Sequence, residues 1–136
     1  MAAEMIIQER LDITNGSRIR VLNLLCTCET DGTLGIELTD EMFDWIKGWK
    51  LAMMEIANSS GQTDPAADSD VTALLTGGAD FFLGGGVDKL QPDTSTLTPT
   101  SSLGNMPIYE KFTITTANVG AVAAVFNLKL IVFPLT

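Results

Sequence analysis

The residues best suited to chemistry in this 136-residue sequence are few. They are two cysteines at C-x-C spacing, Cys26 and Cys28, the aspartates Asp64, Asp68 and Asp70, and a glycine-rich run from Gly77 to Gly86. Two thiolates make half of a zinc site, since zinc takes four ligands, and the sequence holds no histidine and no third cysteine. In an extended segment residues two apart lie about 6.5 Å from Cα to Cα, which strains a disulfide, so reduced thiols are expected. Calcium takes six to eight oxygens, and the three aspartates lack both the Asp-x-Asp-x-Asp-Gly core and its distal glutamate. The segment from Gln62 to Asp70 reads as a solvated acidic loop.

Backbone amides of a glycine-rich turn can cradle a phosphate. Gly77 to Gly86 ends in no Gly-Lys-Ser/Thr and contains no G-x-G-x-x-G, so nucleotide binding is not expected. Serine or threonine nucleophiles have no histidine base and no G-x-S-x-G elbow. Paired-carboxylate chemistry needs two acids that meet in space, and the spacing singles out no pair. These patterns imply a chain that is not an enzyme and carries no cofactor and no metal.

The elements that would position side chains are clearer. Leu11 and Ile13 alternate ahead of an Asn15-Gly16 turn, and Arg18 to Glu29 reads as a central strand, with Arg18, Arg20, Leu22, Leu24, Cys26 and Cys28 on one face. Asp31-Gly32 then marks a turn into a strand from Thr33 to Leu38, completing a hairpin. Thr39 caps a helix predicted to run to Ala57, with Asp40, Glu41 and Asp44 complementing its dipole and Leu38 stapled onto Phe43. Met42, Trp45, Ile46, Trp49, Met53, Ile56 and Ala57 recur at helical spacing, and a second apolar flank of Phe43, Leu51 and Met54 makes that helix two-sided.

Val71 to Leu75 reads as a short helical turn. Beyond it, glycines bracket Phe81, Phe82 and Leu83 as though presenting them to a surface, internal or external. Gln91 to Met106 is rich in Thr, Ser and Pro and nearly uncharged, an extended arm without periodicity. Two strands, Ile108 to Thr116 and Ala123 to Phe133, are predicted to pair as a closing hairpin. The fold class expected is α+β, an antiparallel sheet or sandwich with one main amphipathic helix and a long arm at 91–106, in a single domain spanning 1–136.

Composition narrows the function classes. A net charge of −9 with eight Lys and Arg leaves no basic face for nucleic acid. No apolar run reaches the ~18 residues of a membrane span, and the first residues lack a signal-peptide pattern, so a cytoplasmic chain is expected. Apolar residues make up 46% of the chain and charged ones 18%, below the charged share of about a quarter usual in soluble domains, so part of the apolar surface is expected in subunit contacts.

The β-hairpin, the helix, the glycine-rich segment, the Thr/Ser/Pro arm and the closing KFTITTANVGAVAAVFNLKLIVF together resemble small virion structural proteins of tailed bacteriophages. That resemblance implies a capsid-associated, decoration or connector-type role in many copies, located in the virion. The expected partners are further copies of the chain and other structural proteins, with no nucleic acid and no membrane. Contact candidates are Trp45, Trp49, Met53, Phe81, Phe82, Leu83, Leu97 and Leu103. The competing expectation is a small ligand-binding module framed by the loops at 77–86 and 62–70.

Overall fold

The computed structural model describes residues 3–15, 17–58, 69–76, 78, 80–82, 95–97, 106–117, 119 and 123–134. Leu83 and Leu103, most of the acidic loop and most of the arm lie outside them. Among the described residues, two antiparallel sheets and one short helix make the fold. The first sheet joins β1 (Glu4–Asn15), β2 (Ser17–Thr27), β8 (Val125–Phe133), β4 (Lys50–Asn58) and the three-residue β6 (Ser95–Leu97), in that order. The second joins β3 (Gly35–Glu37), β7 (Thr113–Ala117) and β5 (Asp70–Leu74), and α1 spans Asp40–Ile46.

In the β1–β2 hairpin Asn15 opposes Ser17, and β2 is central, flanked by β1 and β8. Strict alternation sends Leu22, Leu24 and Cys26 of β2 and Phe126, Leu128, Leu130 and Val132 of β8 into the core, all at or near zero exposure. Val71, Ala73 and Ile114 of the second sheet enter the same cluster, together with Met42 and Ile46 of α1. One apolar core therefore lies against both sheets and the helix. Cys26 and Cys28 are buried in it as free thiols.

The helix is much shorter than its periodicity predicts. Thr39 does cap it, its Oγ1 accepting from the Met42 N–H at 3.3 Å. The helix nevertheless ends at Ile46, and Gly48 takes φ +84°, a left-handed conformation that turns the chain out. Residues 50–58 then form β4, whose pairing with β8 shifts between Leu51 and Met53 so that Ala52 is an extra residue. That bulge explains the false helical signal. It separates the inward-facing Leu51 and Met54 by three positions, after which Ile56 follows at the two-residue spacing of a strand. Leu51 and Met54 of the supposed second apolar flank belong to the core row of a bulged strand, and only Phe43 of that flank lies in the helix. A Cβ at Gly48 would meet nothing within 4 Å, so Gly48→Ala carries only backbone strain. We expect a stability loss of about 1–2 kcal/mol, read as a lower urea midpoint.

Three other expectations change. The Asp31-Gly32 turn forms, with Gly32 at φ +87°, but it delivers β3 to β7 of the second sheet and not to β2. Residues 70–74 are strand β5, not a helical turn, and pair with β7. The predicted closing hairpin is split, since β7 belongs to the second sheet while β8 pairs with β2 and β4. Within the arm, residues 95–97 are not structureless: they pair antiparallel with Met54–Ile56 of β4.

Candidate interaction surface

Two features outside the core are built from side chains that sequence spacing alone did not group: an arginine–tryptophan stack on the β1–β2 hairpin, and the face of the large sheet turned away from the core.

All three arginines of the chain and both tryptophans meet in the stack. β1–β2 pairing sets Asp12 opposite Arg20, with Arg18 two residues along, and Arg10 lies on the same side of β1. The Arg20 guanidinium lies 4.3 Å from the Trp45 ring centre and 4.6 Å from that of Trp49, so it touches both indoles. It also donates to the Trp45 carbonyl at 3.0 Å, and Trp45 Nε1 donates to the Val21 carbonyl at 3.3 Å. Arg10 lies over Trp45 at 5.6 Å and Arg18 over Trp49 at 5.4 Å. Arg18 grips Asp12 through two nitrogens, at 3.1 and 2.8 Å. The stack fastens the end of α1 and the Gly48 turn to the hairpin. Trp45 and Trp49, expected as contact residues, are half-buried beneath guanidinium groups of their own chain.

The hydrogen bond and charge of Arg18, followed by those of Arg20, hold the Asp12 carboxyl below its ordinary 3.8. Asp40 is lowered by its ion pair with Lys111, and Asp31 by the Thr33 hydroxyl and amide. Carboxyls depressed in the folded state contribute stability above the unfolded value and lose it as pH falls through the folded ones. Burial raises the Cys26 and Cys28 thiols, so their contribution is lost in the other direction, as pH climbs past 9.0. Thermal melts should therefore show a plateau between these limits, an acid fall below about pH 4, and an alkaline limb that Cys26→Ala flattens.

The outward face of the large sheet is organised in rows across its strands. Leu11, Val21, Ile131 and Met53 stand side by side on β1, β2, β8 and β4, and the Ile13–Ile19 pair lies next to them. Four strands span about 14 Å across the ladder. Leu11 is 38% exposed, Ile13 43% and Phe133 39%, while Met53 and Ile131 are half-buried. The next row is polar: Glu9, Asn23, Lys129 and Glu55. A bulge at Gln8 in β1 carries that side chain into a pocket of about 240 Å³ with Asn23, Glu55, Ala57, Asn127 and Lys129. Asn23 Oδ1 is buried there without a hydrogen-bond partner among the described residues.

No family model, curated protein or solved structure matches this chain.

Among the contact candidates from the sequence, Met53 alone sits on this outward face with a described side chain. Phe81 and Phe82 are 3% and 4% exposed and belong to the core, so the glycine-bracketed triplet turns these two rings inward, not toward a neighbour. Leu97 contributes backbone pairing to β4, and Leu83 and Leu103 lie outside the described residues. Leu11, Ile13, Ile19 and Phe133, not among those candidates, also lie on this outward face. The signal that finds them is two-faced alternation: Leu11 and Ile13 share a face opposite Arg10 and Asp12, and a strand with apolar residues on its solvent side is a surface seeking cover. Another pocket, of about 530 Å³, lies between Met5–Ile7 and Thr39–Met42. Neither pocket is lined by described residues of the 62–70 or 77–86 loops.

Proposed function

We propose that this chain is a structural subunit that self-associates or docks on a larger shell, in the manner of the small capsid-associated proteins of tailed bacteriophages, and that it is not an enzyme. The reading rests on one observation: the apolar row Leu11, Val21, Ile131 and Met53 crosses four strands of the outward sheet face, with Val21 buried, Met53 and Ile131 half-buried, and Leu11 exposed together with Ile13 and Phe133 beside it. Isolated exposed apolar residues are ordinary on a monomer, whereas a contiguous row on one rigid face is the usual mark of a protein contact. Two sheets on one core serve as a sandwich-type scaffold that supports this face.

A net charge of −9 acts against association in dilute salt, so the contact should strengthen as salt screens the repulsion. The test replaces Met53 and Phe133 together by lysine and follows molecular mass by light scattering. Assembly should be lost or strongly weakened while the thermal melt of the subunit stays near that of the unaltered chain. Undiminished assembly of the double variant would show that the face is not the contact.

A small polar ligand is the second reading. It is favoured by the 240 Å³ pocket and the unsatisfied Asn23 oxygen, not by the loops expected from sequence. Native mass spectrometry of protein taken from its source would reveal such a ligand as added mass.

A further inference from the structure

We infer that β1 is a docking edge for a second copy of this chain, and that two β1 strands pair antiparallel about a twofold axis passing at Leu11. This rests on the self-association reading above and specifies its partner and register.

β1 stands at one end of the sheet, and among the described residues no strand pairs with its free side. An unpaired edge of this length is a template for another chain unless it is blunted. Glu9 to Thr14 alternate without interruption: Glu9, Leu11 and Ile13 face outward, and Arg10, Asp12 and Thr14 share the side of the arginine stack. The bulge at Gln8 closes this regular stretch at its N-terminal end.

Antiparallel partners must share a face, so only a few twofold registers exist, each centred on one residue. Centring on Glu9 sets it against the partner's Glu9. Centring on Arg10 sets two arginines opposite each other, and centring on Asp12 sets two aspartates opposite each other, all of which are unfavourable. Centring on Leu11 sets Arg10 against the partner's Asp12, Asp12 against the partner's Arg10, and Leu11 against the partner's Leu11. Glu9 then faces the partner's Ile13. Centring on Ile13 brings no like charges together, but it leaves Arg10 beyond the last paired residue and makes no charge pair. The Leu11 register alone joins opposite charges on one face, and on the other it sets Leu11 against Leu11 between the two Glu9–Ile13 pairs. Asp12 already accepts from Arg18 and Arg20, so the partner's Arg10 would join a carboxylate already held in position. The outward apolar row would run on from one copy into the next through the two Leu11 side chains.

Single-cysteine variants read this register. Directly opposed residues approach to about 4.5–5.5 Å between Cβ atoms, and residues offset by four along a strand are about 13 Å apart. Under mild oxidation Leu11→Cys should form a disulfide dimer at least ~10-fold faster than Glu9→Cys or Ile13→Cys alone, while a mixture of those two should cross-link to each other. The native Cys26 and Cys28 thiols are buried with raised pKa, which keeps them slow. Arg10→Asp, which faces the partner's Asp12 with a like charge, should weaken dimerisation about 10-fold or more, while Arg10→Lys should stay within about threefold. If the unaltered chain assembles yet the three single-cysteine variants cross-link equally, or Ile13→Cys cross-links fastest, the edge register is overturned and the structural-subunit reading survives. If the unaltered chain stays monomeric and Leu11→Cys fails to cross-link, this dimer is overturned together with self-association.

Discussion

Phe81→Ala is expected to destabilise the folded chain by about 3–5 kcal/mol, a large part of the roughly 5–15 kcal/mol that holds a domain of ordinary stability together. The ring is 3% exposed and packs edge-on against Phe112, with centroids 5.2 Å apart and planes at 66°. Phe112 is itself fully buried. The Phe81 amide donates to the Ala73 carbonyl at 3.1 Å, which fixes the segment against β5, so the surroundings have little freedom to collapse into the space left. Urea unfolding should show a lower midpoint at an unchanged slope. The double change Phe81→Ala with Phe112→Ala should cost less than the sum of the two, by about 0.5–1.5 kcal/mol of edge-to-face coupling. If the ring were instead offered to a neighbouring subunit, the change would leave subunit stability within about 0.5 kcal/mol and reduce assembly.

Arg20→Ala is expected to cost about 2–4 kcal/mol, an unusual loss for a residue near a hairpin end. The removed guanidinium contacts two indole faces, each worth about 1 kcal/mol when partly desolvated, and makes a charge-assisted hydrogen bond to the Trp45 carbonyl. Arg20→Lys should recover less than half of the loss, because an ammonium cannot stack flat on two rings and reach the carbonyl together. Tryptophan fluorescence should change in parallel with the unfolding midpoint, since Trp45 and Trp49 lose their cover. An Arg20→Ala chain as stable as the parent would mean that α1 and the Gly48 turn are held by the core alone.

Side-chain alternation made much of the strand content legible in the sequence, but sheet membership was not. β2 could be read as central because both of its faces turn apolar midway, and the Asn15-Gly16 turn fixed its partner. The Asp31-Gly32 and Ala117-Asn118-Val119-Gly120 sequences read equally well as hairpin turns, yet β3 follows β2 in the other sheet and β8 follows β7 in the other sheet, a choice made by packing around Phe112, Ile114 and Leu34 and not by turn chemistry. β4 was hidden for a different reason. One extra residue at Ala52 moves its apolar residues from a spacing of two to a spacing of three, and the capped helix just before it supplies a phase to which they fit. Gly48 was the sign available, a residue suited to ending a helix after two turns.

The outward apolar face was only partly legible. Its chemistry lies in one uncharged row across the outward face of β1, β2 and β8, which becomes visible once pairing places Leu11 beside Val21 and Ile131. The aromatic residues drew attention first because of their size, and four of them proved to be occupied: Phe81 and Phe82 in the core, Trp45 and Trp49 under Arg20.

Sedimentation equilibrium of the unaltered full chain, over about a hundredfold range of concentration and at two salt levels, tests self-association most directly. A weight-average mass that climbs from 14.5 kDa toward a dimer or higher species, and climbs further in higher salt, is the predicted result. A mass fixed at 14.5 kDa throughout would contradict it.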